Sequence, residues 1–451
     1  MIDVQPLPFF LAGTDCLARL RDLPWALLLD SGRPAATQGR YDLCMASPSL
    51  TLVSEGGSAV LRDAGARVLQ TTTEPLRLLR KLLQERQVPP AGALPFCGGA
   101  AGYFGYDLGL ADLAVRVRPL PLPEMAVGIY DWAVVSDHAE QRSWWVGRRA
   151  ARSVLPMLMT RLQSEPPPAG GFGIEAGSLA MAPELDAYRT AFARVQDYLQ
   201  RGDCYQVNLA RRFRAGYRGD PWRAYCQLRA LSPAPFGAYL SLPFAEILSI
   251  SPERFLLLEQ GRVETRPIKG TRPRRADPVA DAAEAAALRD SDKDRAENVM
   301  IVDLMRNDLG RVCRPGSIEV SGLFELESHA SVHHLVSTVT GRLREGVTAV
   351  DLLAACLPGG SITGAPKRRA MEIIDELEPA RRGVYCGAIG YLSDDGRMDT
   401  NIAIRTAVCQ AGEISYWAGG GLVADSEADA EFEETLHKAR PFLELVRLMQ
   451  A

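Results

Sequence analysis

The sequence has little that would place it outside a reducing, aqueous compartment. Its nine cysteines are scattered and form no C-x-x-C pair, which argues against a disulfide framework or a cysteine zinc site. Apolar runs such as 25–29 fall far short of the ~20 residues that cross a bilayer. The N-terminus MIDVQPLPFFLAG has an acid, Asp3, where a secretion signal needs positive charge. An excess of basic charge is missing too: 51 lysines and arginines face 55 acids, a net charge of −4. Global attraction to nucleic acid or an anionic membrane is therefore not expected. These absences predict a cytoplasmic protein with no nucleic-acid or membrane partner.

Several catalytic signatures are absent as well. His329, His333 and His334 (HASVHH) have a spacing found in some zinc sites, but there is no HExxH motif. Cys97 in PFCGGAAGY lacks the GxCxG elbow of a glutaminase. PGGSITGAPK (358–367) lacks the Lys-Ser/Thr pair with which a phosphate loop reaches nucleotide and Mg2+.

What is present reads as a globular chain of 451 residues, 47% apolar and 24% charged. SEPPPAGGFG (164–173) has the Pro and Gly content of an exposed linker, dividing a region 1–163 from a region 174–451. Before it, WALLLDSG, SLTLVSEGG, MAVGIYDWAVVSD and RSWWVG read as strands, and 74–87 as a helix. After it, helical spacing covers 185–202, 281–288, 295–309, 350–357, 366–377 and 428–449; FGAYLSL, AEILSIS, RFLLLE, GAIGYLS, NIAIRTAVC and EISYWAGGG read as strands. Strands cluster rather than alternate with helices, which predicts an α+β fold with antiparallel sheets.

Three groups of residues could carry chemistry. ETRPIKGTRPRR (264–275) sets Lys269 between Pro267 and Gly270, near Arg266, Arg272, Arg274 and Arg275. Burial and neighbouring cations lower a lysine's pKa and free its amine as a nucleophile; the same composition also describes a solvated basic loop. Asp294 with Glu297, and Glu431 with Glu434, are spaced three apart and share helix faces. Two such helices could hold Mg2+ with water and substrate oxygens, or the acids could simply be exposed. Gly419, Gly420 and Gly421 suggest a loop whose N–H groups hold an anion, or a tight turn. Ser361 or Thr363 is expected to cap the helix that follows.

The order of motifs goes further. GDCYQVNLA (202–210), SPERF (251–255), PIKGTRPR (267–274), AENVMIVDLMRNDLGRV (296–312), HLVSTVTG (334–341), PGGSITGAPKRRAMEIIDELEP (358–379), YCGAIGY (385–391), NIAIRT (401–406) and GGGLVADS (419–426) closely resemble the chorismate-utilising enzymes. The resemblance implies a large sandwich of two antiparallel sheets with flanking helices, and a site that depends on Mg2+ rather than pyridoxal phosphate. It carries over Glu297 and Glu434 as Mg2+ ligands, with Asp294 and Glu431 beside them; the family usually has Glu where this chain has Asp294. The ion would hold the ring carboxylate of chorismate. Arg405, Tyr385 and the N–H groups of Gly419, Gly420 and Gly421 would meet the pyruvyl carboxylate. His334, Ser361, Gly270 and Thr271 would line the ring.

Two positions separate the family's branches. Gln206 stands where hydroxylating members have a lysine that activates water. Lys269 stands where anthranilate-forming members have a small residue. The resemblance therefore implies the branch that joins chorismate and ammonia into 4-amino-4-deoxychorismate, toward 4-aminobenzoate and folate. There Lys269 would attack carbon 2, and Glu253 would be the general acid for the departing hydroxyl. By family precedent a separate glutamine amidotransferase subunit would supply the ammonia. LLLDSG (27–32) with SPAPF (232–236) matches the outline of a tryptophan pocket. The competing expectations are an anthranilate-forming lyase and a non-catalytic docking subunit.

Overall fold

The computed structural model describes residues 1–36, 39–90, 92–110, 113, 116, 118–119, 122–328 and 332–450. Among these, two sheets of thirteen and twelve strands are flanked by ten α-helices. Several central strands are buried along their whole length, among them Gly99–Phe104, Met125–Tyr130, Trp132–Asp137 and Ala388–Ser393. That is why the last three read as continuous apolar runs rather than as strict alternation; Gly99–Phe104, made largely of Gly and Ala, does not read as a strand.

Both halves of the chain build both sheets. In the first sheet, Leu27–Asp30 pairs antiparallel with Phe236–Leu242. In the second, Gly99–Phe104 pairs antiparallel with Ala388–Ser393. Either side of these central pairs, short connections carry the chain from one sheet to the other. Tyr41–Met45 passes to Leu50–Glu55, and Met125–Tyr130 to Trp132–Asp137. In the C-terminal half, Ala245–Ser251 passes to Arg254–Glu259, and Met398–Ile402 to Thr406–Gln410. The two crossings of each half lie side by side, because their strands pair in both sheets.

Helices form close to the expected spans: Pro75–Arg86, Leu185–Gln200, Pro278–Arg289, Asp292–Gly310, Ala349–Cys356, Lys367–Leu377 and Ala428–Leu448. Gly13–Leu20, Leu155–Gln163 and Pro221–Leu231 are helices as well, beyond those expected. The last had a legible start, since Pro221 fills the first turn and the Asp220 carboxylate accepts the Trp222 N–H. The expected cap of the 367–377 helix does not form: Pro366 is at its N-cap with no side-chain bond. Ser361 and Thr363 lie a turn earlier, with Thr363 Oγ1 bonded to the Gly359 carbonyl. Residues 164–171 run exposed. Among the described residues no helix is long and apolar enough to cross a membrane.

Candidate functional site

Glu253 and Arg405 occupy the two adjacent crossings of the C-terminal half. The Ile402 N–H donates to the Glu253 carbonyl at 3.0 Å, and the Ile250 N–H to the Arg405 carbonyl at 3.0 Å, which fixes the crossings against each other. Arg405 takes a left-handed backbone, φ +51°, a conformation that recurs where side chains are held for function. Its half-buried guanidinium has no carboxylate partner among the described residues. Glu253 is buried, and the Ser361 hydroxyl donates to its Oε1 at 2.7 Å. Burial raises its pKa to about 7, outweighing the downward pull of Ser361 and Lys269.

Lys269 lies on the strand Ile268–Pro273 with its side chain only 12% exposed, 4.0 Å from Glu297. Burial lowers its pKa, chiefly against the upward pull of Glu297. The cation that adds to the lowering is Lys438, not the neighbouring arginines as the sequence suggested. Those arginines are turned to acids: Arg266 to Glu327, Arg272 to Asp294, Arg274 to Asp281 and Arg275 to Glu284.

The acidic pairs come from the 292–310 and 428–448 helices and meet beside Lys269; Glu434 and Asp294 both raise the Glu297 pKa, after burial itself. Each acid is turned to a cation: Asp294 to Arg272 at 3.2 Å, Glu297 to Lys269, Glu431 to Lys293 at 3.9 Å and Glu434 to Lys438 at 2.6 Å. As the side chains stand, no group of three or more His, Cys, Asp or Glu among the described residues is set to hold a metal. The donor set nevertheless suits Mg2+, which binds through one or two carboxylates and keeps several waters. A Cβ at Gly420 would come within 3.0 Å of Glu431 and 3.4 Å of Glu434, so this glycine keeps the space beside the acids open. Gly270, at φ +87°, does the same against Asp294, 3.1 Å from its would-be Cβ.

The glycines 419–421 are not a loop. They continue the strand Glu413–Leu422, paired to Ala210, Leu209 and Asn208. On the other side, the pairing with Thr406–Gln410 stops at Tyr416. In an antiparallel strand with one free edge, alternate N–H groups point away from the ladder, so an anion held by these glycines would meet an interrupted edge instead of a turn. Gln206 is fully buried at the start of the neighbouring strand, its Nε2 donating to Asn208 Oδ1 at 3.1 Å. Tyr385 is buried and stacks on Trp417, centroids 5.8 Å apart. The exposed Thr271 and the buried His334 share a hydrogen bond of 2.9 Å between Oγ1 and Nδ1. His333 turns to Asp281 and Ser328, and His329 lies outside the described residues.

Sequence reasoning missed Lys438, Asn208 and the pair Glu378–Arg382. Arg382 is buried; besides Glu378 it donates to the carbonyls of Ile362 and Asn208, while Glu378 accepts the Ala210 N–H. The pair thus ties the Ser361 turn to the 206–219 strand beneath Tyr385. Both Lys438 and Arg382 sit four residues after a glutamate, a spacing that reads as an ordinary surface pair.

Residues 33–444 match the model of the chorismate binding enzymes. The chain belongs to that family. It is 49% identical to aminodeoxychorismate synthase component 1 of Klebsiella aerogenes over 94% of each chain. It is 48% identical to the protein of that name from Escherichia coli strain K12, again over 94% of each. The crystal structure of anthranilate synthase component I from Streptococcus pneumoniae TIGR4 superposes with a TM-score of 0.79 at 31% identity, covering 90% of this chain and 92% of that one. The family's chorismate-utilising fold is the sandwich described above.

Proposed function

We propose that this chain converts chorismate and ammonia to 4-amino-4-deoxychorismate. The observation that carries this reading is Lys269: a buried amine, its ammonium form disfavoured, close enough to interact with a glutamic acid whose pKa is about 7. The kinship with aminodeoxychorismate synthase component 1 supports it over the anthranilate-forming reading.

The neutral amine of Lys269 attacks carbon 2 of chorismate, the two ring double bonds shift, and the bond from carbon 4 to its hydroxyl breaks. Glu253 gives its proton to that oxygen, which leaves as water. Ammonia then attacks carbon 4, the double bonds shift back, and Lys269 departs as a neutral amine. The proton shed by the new ammonium group restores Glu253. Arg405, with Tyr385 and the free N–H groups near Gly420, orients the pyruvyl carboxylate. Glu297 and Glu434, with Glu431 and Asp294 beside them, would hold Mg2+, which when bound supplies positive charge to the ring carboxylate. Gln206 offers no amine to activate water. A glutamine amidotransferase partner supplies the ammonia; Cys97, buried with its thiol raised by burial to about 11, is poorly suited to release it from glutamine.

The test is to supply chorismate, Mg2+ and ammonium and to weigh the product. Aminodeoxychorismate, with its pyruvyl group retained, is expected; anthranilate with free pyruvate overturns the reading. Bound but unconverted chorismate gives the docking reading.

We also infer an amino-acid site in the cavity of about 320 Å3 lined by Asp30, Ser31, Pro235, Phe236, Arg254 and Asp399, among others. It brings together the 27–32 and 232–236 segments, and its apolar walls with charges of both signs suit tryptophan.

A further inference from the structure

We propose that Asn208 is a positioning residue: it fixes the amide of Gln206 so that the Gln206 oxygen is presented as an acceptor to the incoming ammonia. The inference rests on the aminating function proposed above.

The orientation follows from the chemistry of one backbone carbonyl. Asn208 Nδ2 donates to the Ser361 carbonyl at 3.1 Å. A carbonyl only accepts, so the NH2 end of Asn208 must face it. The Asn208 oxygen is thereby turned to Gln206, which must answer with its own NH2 at 3.1 Å. Gln206 Oε1 is then the free end, and it is buried without any hydrogen-bond partner. The anchor is itself held: Arg382 donates to the Asn208 main-chain carbonyl at 3.1 Å, and a Cβ at Gly421 would fall 2.9 Å from Asn208 Oδ1 and 2.6 Å from Gln206 Nε2. The glycine leaves the two amides the space they occupy, and the hydrogen bonds to the Ser361 carbonyl and between the amides set which end of each faces which.

Gln206 and Asn208, two apart on one strand, share a face, the face on which Asn208 meets Ser361 and Ser361 meets Glu253. A buried acceptor left empty is costly, and a donor brought by the reaction would relieve that cost. The departing hydroxyl is served by Glu253. Lys269, Lys293 and Lys438 are turned to carboxylates. Ammonia brings three N–H donors. A neutral amide oxygen can accept one of them and leave the lone pair free, whereas a carboxylate favours the ammonium ion, which has no lone pair to attack with.

The test is steady-state kinetics on Asn208→Ala, Gln206→Leu and the double variant, with ammonium varied at saturating chorismate and chorismate varied at saturating ammonium. Each single variant is expected to raise the KM for ammonium about tenfold, the scale of one lost hydrogen bond, and to leave the KM for chorismate unchanged. The double variant is expected to be no worse than either single one, because both act on the same oxygen. An unchanged ammonium KM, a shift confined to the chorismate KM, or losses that add in the double variant would each overturn the proposal. Should Asn208→Ala fail to fold, Gln206→Leu keeps Asn208 in place and carries the same ammonium test. A wild-type chain that makes no aminated product would instead sink the function proposed above.

Discussion

The two halves of this protein cross between the sheets in the same way and use the crossings differently. In the N-terminal half, Asp131 sits at one crossing, and its carboxylate is met by Arg86 at 2.7 Å. The Ser49 N–H donates to the Ile129 carbonyl at 2.8 Å and joins that crossing to its neighbour. In the C-terminal half, among the described residues, the carboxylate at one crossing, Glu253, has only a hydroxyl as its side-chain hydrogen-bond partner, and Arg405 at the other has no carboxylate. A charge neutralised within the chain stabilises it. A carboxyl and a guanidinium on adjacent crossings without an ion pair inside the chain are available to a ligand, and burial of the carboxyl favours its protonated form.

The largest expected effect comes from breaking the open side at its proposed nucleophile. Lys269→Ala should cut kcat by about a thousandfold or more, the scale of losing a covalent catalyst, and should abolish any adduct detectable by intact-protein mass. A variant aminating at the wild-type rate would mean that ammonia adds directly to chorismate.

Glu253→Gln comes next, with a loss of about a hundredfold to ten-thousandfold in kcat/KM. The acid must hold its proton to act, and burial sets its pKa at about 7. Wild-type kcat/KM should therefore fall as pH rises through about 7, and that limb should vanish in the variant. The stability sign is fixed too. A raised folded pKa means that this group's contribution is present at low pH and lost as pH rises through about 7. Glu253→Gln should thus melt higher than wild type at alkaline pH and show no such gain below about pH 4.

Glu297→Gln should weaken Mg2+ binding, read by calorimetry in the absence of chorismate, by at least about tenfold. Equal affinity in the two proteins would remove Glu297 from the metal site. The smallest effect belongs to the closed side. Asp131→Asn loses a partly buried ion pair and should cost about 1 kcal/mol of stability, leaving the KM for chorismate unchanged. A change in that KM would erase the distinction between the two halves.

Much of this was legible in the sequence, and what was not has physical reasons. Many central strands were readable because burial on both faces makes them apolar throughout, and most helices because their apolar spacing is regular; exposed edge strands such as Val68–Thr72 and Glu319–Ser328 were not. The crossings were not: Pro252 and Glu253 between AEILSIS and RFLLLE look like a hairpin turn, and nothing local says that the flanking strands belong to different sheets. SPERF marked Glu253 only through resemblance. The glycine run misled because glycine signals turns, whereas here it answers to the close approach of Glu431, Gln206 and a neighbouring backbone carbonyl. Asn208 escaped because the role proposed for it depends on which end of an amide meets the Ser361 carbonyl, a matter of three-dimensional contact.

The exposed segment 164–171 joins two halves that are already interleaved. A protease cutting there would sever one peptide bond and none of the ladders, so the two fragments should stay together as a nicked protein. Made separately, each half would present its central strands, such as 27–30 and 99–104 or 236–242 and 388–393, as bare apolar edges that invite aggregation. The tether is therefore replaceable by co-expression of the two halves, but neither half is a unit that could be shuffled into another protein on its own.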